Sequence, residues 1–201
     1  MVPAGTGPEH IMRVVDEITR TRARNALIRW RCERSVASSV QADEALRERL
    51  AALLREEPFA RARVLGVYWA IRGEPQLAPC YERWESEGRT LALPRIGEDG
   101  ALEFGRWRRD GDVRADRFAI PVPHPFEGVE PDLLIVPCVG FDARGFRLGY
   151  GGGHYDRTLA QRPIAAIGVG YNACELERFD AEAHDRPLPA IVTESRVIRT
   201  R

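Results

Sequence analysis

Residues 132–161, DLLIVPCVGFDARGFRLGYGGGHYDRTLAQ, determine the predicted fold of this 201-residue chain. The stretch opens with the apolar run 132–136, which is typical of a strand buried on both faces of a parallel sheet. A glycine-rich loop follows, and a helix is predicted at residues 155–161. A buried strand that leads through a loop into a helix favours an α/β fold.

Further elements are predicted on both sides of this stretch. Helices are predicted at residues 11–30, from a cap at Ser38 or Ser39 to Pro58, through Tyr81 and Trp84 to Gly88, and at 175–179. Strands are predicted at residues 64–70, 90–94, 102–107, 164–169 and 191–198, with a turn at 97–100. Strands that alternate with helices predict a three-layer α/β domain around a largely parallel sheet.

The composition is that of a single globular domain. Hydrophobic residues make up 44% of the chain and charged residues 30%, and no Gly/Ser-rich linker divides it. Residues 1–10 carry prolines and glycines, and we expect them to form a disordered tail. We expect residues 11–201 to form one domain and the protein to be a monomer.

The charges are balanced, and every basic side chain is an arginine. The chain has thirty arginines and thirty acidic residues, so it has no net charge that would attract nucleic acid or an anionic membrane. We therefore expect neither as a partner. The absence of lysine excludes a Schiff-base mechanism and a Walker lysine.

The cysteines and the N-terminus indicate a reduced, cytoplasmic setting. Cys32, Cys80, Cys138 and Cys174 lie far apart without zinc-like spacing, which predicts free thiols. The first ten residues lack the basic and apolar regions of a secretory signal, and no run is apolar enough to span a membrane. We expect a cytoplasmic protein.

The glycine loop is suited to binding a phosphate. Its glycines are Gly145, Gly149, Gly151, Gly152 and Gly153. They allow successive backbone amides to point toward one anion, beside the positive end of the following helix. The GxGxxG pattern is excluded because His154 stands where it needs glycine, and the Walker pattern lacks its Lys-Ser/Thr pair.

Two side chains next to the glycines would complete such a site. Arg147 is placed to reach a phosphate, and Asp156, in the first turn of the helix, could hold a hydrated magnesium ion. The alternative is that the glycines only allow close packing and that Asp156 is an ordinary acid at a helix N-terminus.

Residues 137–159, PCVGFDARGFRLGYGGGHYDRTL, closely resemble the signature of the 5-formyltetrahydrofolate cyclo-ligases, also called methenyltetrahydrofolate synthetases. The shared features, in order, are a proline, a Phe-Asp pair, Arg-Leu-Gly, the glycine run and Tyr-Asp. The resemblance extends over roughly residues 15–198. It implies a domain similar to the NagB/RpiA/CoA-transferase-like fold.

The resemblance also implies a reaction, which belongs to folate and one-carbon metabolism. ATP phosphorylates the formyl oxygen on N5 of the folate, N10 attacks the activated carbon, and phosphate leaves to give 5,10-methenyltetrahydrofolate. ATP is then a co-substrate, a reduced folate is the second substrate, and Mg²⁺ is the expected cofactor. Such a site needs arginines around the transferred phosphoryl group and a pocket closed to water.

Site residues follow from the resemblance position by position. It implies catalytic roles for Arg147, Tyr155 and Asp156, and a magnesium site at Asp156 and Asp185. It implies ATP binding by Arg20, Arg24, Arg147, Leu148, Gly149, Tyr150, Gly151, Gly152, Gly153, His154 and Tyr155. It implies folate binding by Trp69, Glu74, Tyr150, Gly151, Gly152, Gly153 and His154. His154 departs from the family pattern, which usually has tyrosine there.

Several of these residues have a purely structural alternative. Arg20 and Arg24 lie four positions apart on one helical face, yet they could belong to a solvated basic face. That face would also hold Arg13, Arg22, Arg29 and Arg31. Glu74 could be a loop acid and Trp69 a core aromatic residue. Asp185 could be a surface acid.

Two other functions stay open at the level of sequence. One is a paralogue without catalysis that binds a nucleotide or a folate. The other is a phosphotransferase that acts on another metabolite through the same loop. The combined presence of Arg147, Asp156 and Glu74 favours the cyclo-ligase over both.

Overall fold

The structure, a computed structural model, describes residues 17–182 and 185–200. Its helices are α1 (Glu17–Glu33), α2 (Val36–Leu53), α3 (Ala78–Ser86) and α4 (His154–Gln161). Its strands are β1 (Val64–Gly66), β2 (Thr90–Ile96), β3 (Leu102–Trp107), β4 (Val113–Ala115), β5 (Pro121–Pro123), β6 (Leu133–Pro137), β7 (Gly140–Phe141), β8 (Arg147–Leu148), β9 (Ala165–Val169), β10 (Ala190–Val192) and β11 (Val197–Arg199).

Seven strands form one mostly parallel sheet in the order β11-β10-β9-β6-β1-β2-β3. The five central strands, from β10 to β2, pair in parallel, and the edge strands β11 and β3 pair antiparallel. The predicted largely parallel sheet is therefore confirmed. β6, the strand in the decisive stretch, lies at its centre between β9 and β1.

Helices cover both faces of this sheet. Leu133 and Ile135 of β6 pack into a core shared with α2 and α3, whereas Leu134 and Val136 pack into a second core shared with α1. Alternate side chains of a strand point to opposite faces, so an unbroken apolar run is required here. The three-layer α/β architecture is confirmed.

Two boundaries near the N-terminus differ from the sequence-based prediction. α2 is capped by Ser35, whose side chain accepts a hydrogen bond from the backbone N–H of Ser38, so the predicted cap at Ser38 or Ser39 was wrong. β1 ends at Gly66 rather than at residue 70. The predicted tail at residues 1–10 and the start of the first helix at 11–16 lie outside the described residues.

Two predictions near the C-terminus were also wrong. Residues 175–179 form no helix, because Glu175 instead bridges to Phe141 and the amide of Leu176 donates to the Phe141 carbonyl. The predicted strand at 191–198 is an antiparallel hairpin of β10 and β11. Thr193 turns the chain there, since its hydroxyl accepts from the amides of Ser195 and Arg196.

Two small hairpins were not predicted. β4 and β5 form an antiparallel hairpin, and β5 contacts β2 and β3. We call residues 113–123 the hairpin arm. β7 and β8 form a short ladder directly before the glycine loop. In the described part of the chain, no helix is long and apolar enough to cross a membrane.

Candidate active site

A cavity of about 170 Å³ lies at the carboxyl ends of β1, β2 and β6. This is the usual position of ligand sites in parallel α/β sheets. Ten residues predicted from the sequence line it: Trp69, Glu74, Arg147, Gly149, Tyr150, Gly152, Gly153, His154, Tyr155 and Asp156. The remaining lining is largely apolar and includes Pro94, Ile96 and Ile120, which the sequence did not single out.

The glycine loop reaches the cavity in a conformation that requires glycine. Gly151 and Gly153 have φ angles of +94° and +67°, in the left-handed region that other residues rarely adopt. Gly153 is also the N-cap of α4. Within the described part of the chain, no acceptor takes the backbone N–H of Gly151 or Gly152. Two amides directly before the N-cap of α4 are therefore available to an anion.

Arg147 and Asp156 form an ion pair in the wall of the cavity. Nη2 of Arg147 lies 2.6 Å from Oδ1 of Asp156, and Nη1 donates to the backbone carbonyl of Arg186. The Arg147 side chain is only 3% exposed, whereas that of Asp156 is 19% exposed. β8 positions the arginine and the first turn of α4 positions the aspartate, so the two predicted catalytic charges meet across the loop.

Glu74 also lines the cavity, where it belongs to a buried network. The Tyr150 hydroxyl donates to Oε1 of Glu74 at 2.9 Å, and the Ile71 amide donates to Oε2 at the same distance. Burial raises the pKa of Glu74, and these hydrogen bonds oppose that shift. Burial likewise raises the pKa of the Tyr150 hydroxyl, which keeps it protonated as a donor.

Arg31 completes this network, and the sequence-based prediction missed it. Its Nη2 donates to the Tyr150 hydroxyl at 2.7 Å, and its Nη1 donates to the Cys138 carbonyl. Arg31 is 2% exposed, so assigning it to a solvated basic face was wrong. Helical spacing could have identified Arg31 as a site residue. Arg31 lies four positions after the buried Leu27 and seven after Arg24, which places the three residues on one face of α1. Arg22 and Arg29 are exposed.

The two predicted phosphate arginines on α1 have different neighbours. Arg24 reaches the glycine loop, where its Nε donates to the Gly149 carbonyl at 2.7 Å. Burial lowers the pKa of Arg24, and the charge of Arg20 lowers it further. Arg20 instead pairs with Asp185 at 2.9 Å and with Glu182. The alternative that Arg20 and Arg24 belong to a solvated basic face is therefore also wrong.

The two predicted metal carboxylates have separate arginine partners. Asp185 is held by Arg20, whereas Asp156 is held by Arg147. The Asp185 side chain is 7% exposed, so it is not a surface acid. Among the described residues, no group of three or more His, Cys, Asp or Glu side chains is arranged to hold a metal. A site that includes Asp185 stays a prediction.

His154 and Trp69 both contact residues outside the glycine loop. Nδ1 of His154 lies 2.7 Å from the Gly100 carbonyl, which ties the start of α4 to the β2–β3 turn. The ring of Trp69 meets that of Trp107 edge-on, and Trp69 is 41% exposed. Trp69 is therefore not a core residue, and part of its ring is accessible from the cavity.

Comparisons with known proteins agree on one family. The model of the 5-formyltetrahydrofolate cyclo-ligase family matches residues 16–194. The 5-formyltetrahydrofolate cyclo-ligase of Escherichia coli K12 is 35% identical over 150 residues, which cover 70% of this chain and 82% of that protein. The cyclo-ligase of Mycolicibacterium smegmatis is 30% identical over 192 residues, covering 90% and 96%.

Solved structures show the same fold. The NMR structure of Aquifex aeolicus 5,10-methenyltetrahydrofolate synthetase superposes with a TM-score of 0.77 at 28% identity, covering 90% of this chain and 93% of that one. The structure of a 5,10-methenyltetrahydrofolate synthetase from Mycoplasma pneumoniae, at 22% identity and a TM-score of 0.71, shares the fold.

Proposed function

The chain belongs to the 5-formyltetrahydrofolate cyclo-ligase family, and we propose that it carries out the family's reaction in the cavity at the carboxyl ends of β1, β2 and β6. The enzyme is a 5-formyltetrahydrofolate cyclo-ligase that uses ATP. One observation supports this location. The same cavity is lined by Glu74 of the buried network and by the glycine loop with Arg147 and Asp156. Neither the paralogue without catalysis nor the phosphotransferase is needed to explain this arrangement.

The reaction has two covalent steps. The formyl oxygen on N5 attacks the γ-phosphorus of ATP and releases ADP, which leaves the formyl oxygen phosphorylated and the formyl carbon activated. N10 of the folate then attacks that carbon and closes the five-membered ring, and loss of the N10 proton and of phosphate gives the methenyl product. An apolar wall that includes Pro94, Ile96 and Ile120 would keep water from the phosphorylated intermediate.

We assign the phosphate-binding role to the loop and its arginines. The amides of Gly151 and Gly152 would donate hydrogen bonds to a phosphate oxygen just before the N-terminus of α4, with Arg24 behind the loop. Arg147 faces the cavity and would stabilise the charge that develops on the transferred phosphoryl group. Tyr155, also in the cavity wall, would donate its hydroxyl hydrogen, since burial raises its pKa.

Asp156 is the carboxylate that fits a magnesium ion. It lines the cavity beside the phosphate-binding loop, and its carboxylate oxygens are the hard ligands that Mg²⁺ prefers. Magnesium in phosphoryl-transfer sites is usually held by one or two carboxylates with phosphates and water, so no larger acidic cluster is needed. Magnesium bound there would neutralise charge on the phosphates of ATP. Asp185 would join Asp156 only if it exchanged Arg20 for the metal.

Glu74 and Trp69 are assigned to the pterin. The amino and ring N–H groups of a pterin suit a carboxylate that accepts two hydrogen bonds, and Glu74 keeps lone pairs beyond those used by Tyr150 and Ile71. Trp69 would pack on the ring face.

We also propose that residues 11–201 form one domain and that the enzyme acts as a monomer in the cytoplasm.

The activity itself is tested by direct assay. Purified protein with MgATP is expected to convert 5-formyltetrahydrofolate to the methenyl form, followed by the absorbance of the product. ADP should appear in equal amount and only when the folate is present. Release of ADP without folate and without methenyl product would refute the proposed function.

Replacing Glu74 with glutamine is expected to raise the KM for 5-formyltetrahydrofolate by about 10- to 100-fold, because hydrogen bonds to a charged acceptor contribute roughly 1.5–3 kcal/mol. The KM for ATP should change little. Glutamine has almost the same volume, so the fold should persist. Glu87→Gln, which alters an exposed ion pair with Arg83 on α3, serves as the control. A wild-type folate KM in Glu74→Gln would remove Glu74 from the folate site.

A further inference from the structure

The turn that carries Glu74 packs directly on the backbone of α1. Gly73 has a φ angle of +71°, and a Cβ at this position would lie 2.7 Å from the carbonyl oxygen of Arg31, so the close approach requires glycine. Arg72, one residue earlier, is also left-handed, with a φ angle of +47°. The Glu74 amide closes the turn by donating to the Ile71 carbonyl. Residue 31 of α1 therefore supports the turn that positions the carboxylate assigned to the pterin.

The side chain of Arg31 carries a buried charge, and one hydroxyl group connects it to Glu74. In the part of the chain that the structure describes, no carboxylate lies within ion-pairing distance of the Arg31 guanidinium group. Its Nη2 donates to the Tyr150 hydroxyl, which donates in turn to Oε1 of Glu74. Because a buried charge without a countercharge is costly, Arg31 and Glu74 stabilise each other's charged forms across Tyr150.

Two arginines act on the charge of Glu74. Burial raises the pKa of Glu74, and the Ile71 amide, the charge of Arg31, the Tyr150 hydroxyl and the charge of Arg72 all oppose that shift. Arg72 is exposed to solvent, which screens its charge, whereas Arg31 is enclosed. The tyrosines and the cysteine around Glu74 stay neutral, because burial raises the pKa of each: Tyr68, Tyr81 of α3, Cys138, Tyr150 and Tyr155 of α4.

This arrangement gives Arg31 a function in folate binding without contact to the folate. Arg31 is not among the described residues that line the cavity, whereas Glu74 and Tyr150 are. We propose that Arg31 is a positioning residue of the folate site, because through the Tyr150 hydroxyl it keeps the Glu74 carboxylate ionised and fixed in orientation for the N–H groups of the pterin. The inference deepens the proposed function and rests on it, since it requires that the pterin lies at Glu74.

Arg31→Ala is expected to raise the KM for 5-formyltetrahydrofolate about tenfold and to change the KM for ATP little. Without the charge of Arg31, the pKa of Glu74 should rise further, so the carboxylate becomes protonated at a higher pH. When the pH is lowered, the folate KM of the variant should therefore begin to increase at a higher pH than that of the wild-type enzyme. Arg31→Lys keeps the charge and should recover much of the wild-type pH profile. Arg29→Ala, which removes an exposed arginine of the same helix, is the matched control.

A double-mutant cycle shows whether Arg31 acts through Glu74. In the Glu74→Gln background, Arg31→Ala should add little to the folate KM and should not change its pH dependence, because glutamine does not titrate. General destabilisation of the site would instead add to the effect of Glu74→Gln. Tyr150→Phe removes only the connecting hydroxyl and should raise the folate KM as Arg31→Ala does. Thermal unfolding checks each variant, and the same cycle with Tyr150→Phe replaces that with Arg31→Ala if the latter does not fold.

Two outcomes would overturn the proposal alone. One is a wild-type folate KM and pH profile in the folded Arg31→Ala or Tyr150→Phe enzyme, while Glu74→Gln raises that KM. The other is additivity in the cycle. An unchanged folate KM in Glu74→Gln would overturn both the proposal and the placement of the pterin. If the wild-type enzyme forms no methenyl product, the proposed function fails, and calorimetric titration of these variants with 5-formyltetrahydrofolate at several pH values still decides whether Arg31 acts on folate binding.

Discussion

Arg147→Ala is expected to lower kcat by about 10³-fold, because an arginine that stabilises a transferred phosphoryl group typically contributes an effect of this size. In the structure, both terminal nitrogens of Arg147 are engaged, one by Asp156 and one by the Arg186 carbonyl. The arginine is therefore held rigidly at the cavity wall before ATP arrives. Such a preorganised charge stabilises the transition state without a reorganisation cost during the reaction.

Two further variants show whether the loss of activity comes from the missing charge of Arg147, from the missing guanidinium geometry or from general destabilisation of the fold. Arg147→Lys keeps the charge but cannot bridge Asp156 and the Arg186 carbonyl, so an intermediate loss of about 10- to 100-fold is expected. Arg162→Ala removes a surface arginine at the end of α4 that pairs with Glu130, and it should leave kcat unchanged. Thermal unfolding of each variant checks the fold. A folded Arg147→Ala enzyme with wild-type kcat would contradict the assignment.

Asp156→Asn is expected to lower kcat by at least about 100-fold and to raise the Mg²⁺ concentration needed for half-maximal activity. Asparagine keeps an oxygen that can accept from Arg147, so the loss should reflect the missing negative charge rather than a collapsed loop. Binding of the nucleotide with and without Mg²⁺, measured by calorimetry, should show a weaker magnesium effect in the variant. Unchanged kinetics together with an unchanged magnesium effect would refute the metal assignment.

The same measurements on Asp185→Asn test whether this second carboxylate takes part. If Asp185 binds the metal, its variant should shift the magnesium dependence as Asp156→Asn does. If it only pairs with Arg20, the variant should lower the midpoint of thermal unfolding and leave the magnesium dependence unchanged. Asp110→Asn, which alters an exposed pair with Arg108, controls for the loss of one acidic charge.

Elements with a strong local pattern could be predicted from the sequence. β3 was predicted at its observed bounds, and the observed α4 begins one residue before its predicted start and ends at the predicted residue. Each depends mainly on periodicity within a few residues. The segment at 175–179 was predicted wrongly because its conformation depends on Phe141, whose carbonyl accepts from the amide of Leu176, 35 positions later. Long-range pairing overrode a weak local preference there.

Arg31 and Asp185 show the same limit within the site. On a helix rich in arginine, residue type alone cannot distinguish the buried Arg31 from the exposed Arg29, because the difference depends on what packs against each face. The metal role of Asp185 stays a prediction, whereas its ion pair with Arg20 of α1 was not predicted. That contact joins segments 165 positions apart, a separation that a local motif cannot describe.

By itself, the sequence determined the strand, glycine loop and helix of residues 132–161, the identity of the charges around them and the family. These depend on apolar periodicity, on glycine at left-handed positions and on a local motif. Only the tertiary structure decided that Glu74, Tyr150 and Arg31 form one network and that Arg147 meets Asp156. It alone placed the hairpin arm beside the cavity. The physical reason is that burial and charge pairing arise when distant segments pack together, and the free energy of each charge depends on its neighbours in space.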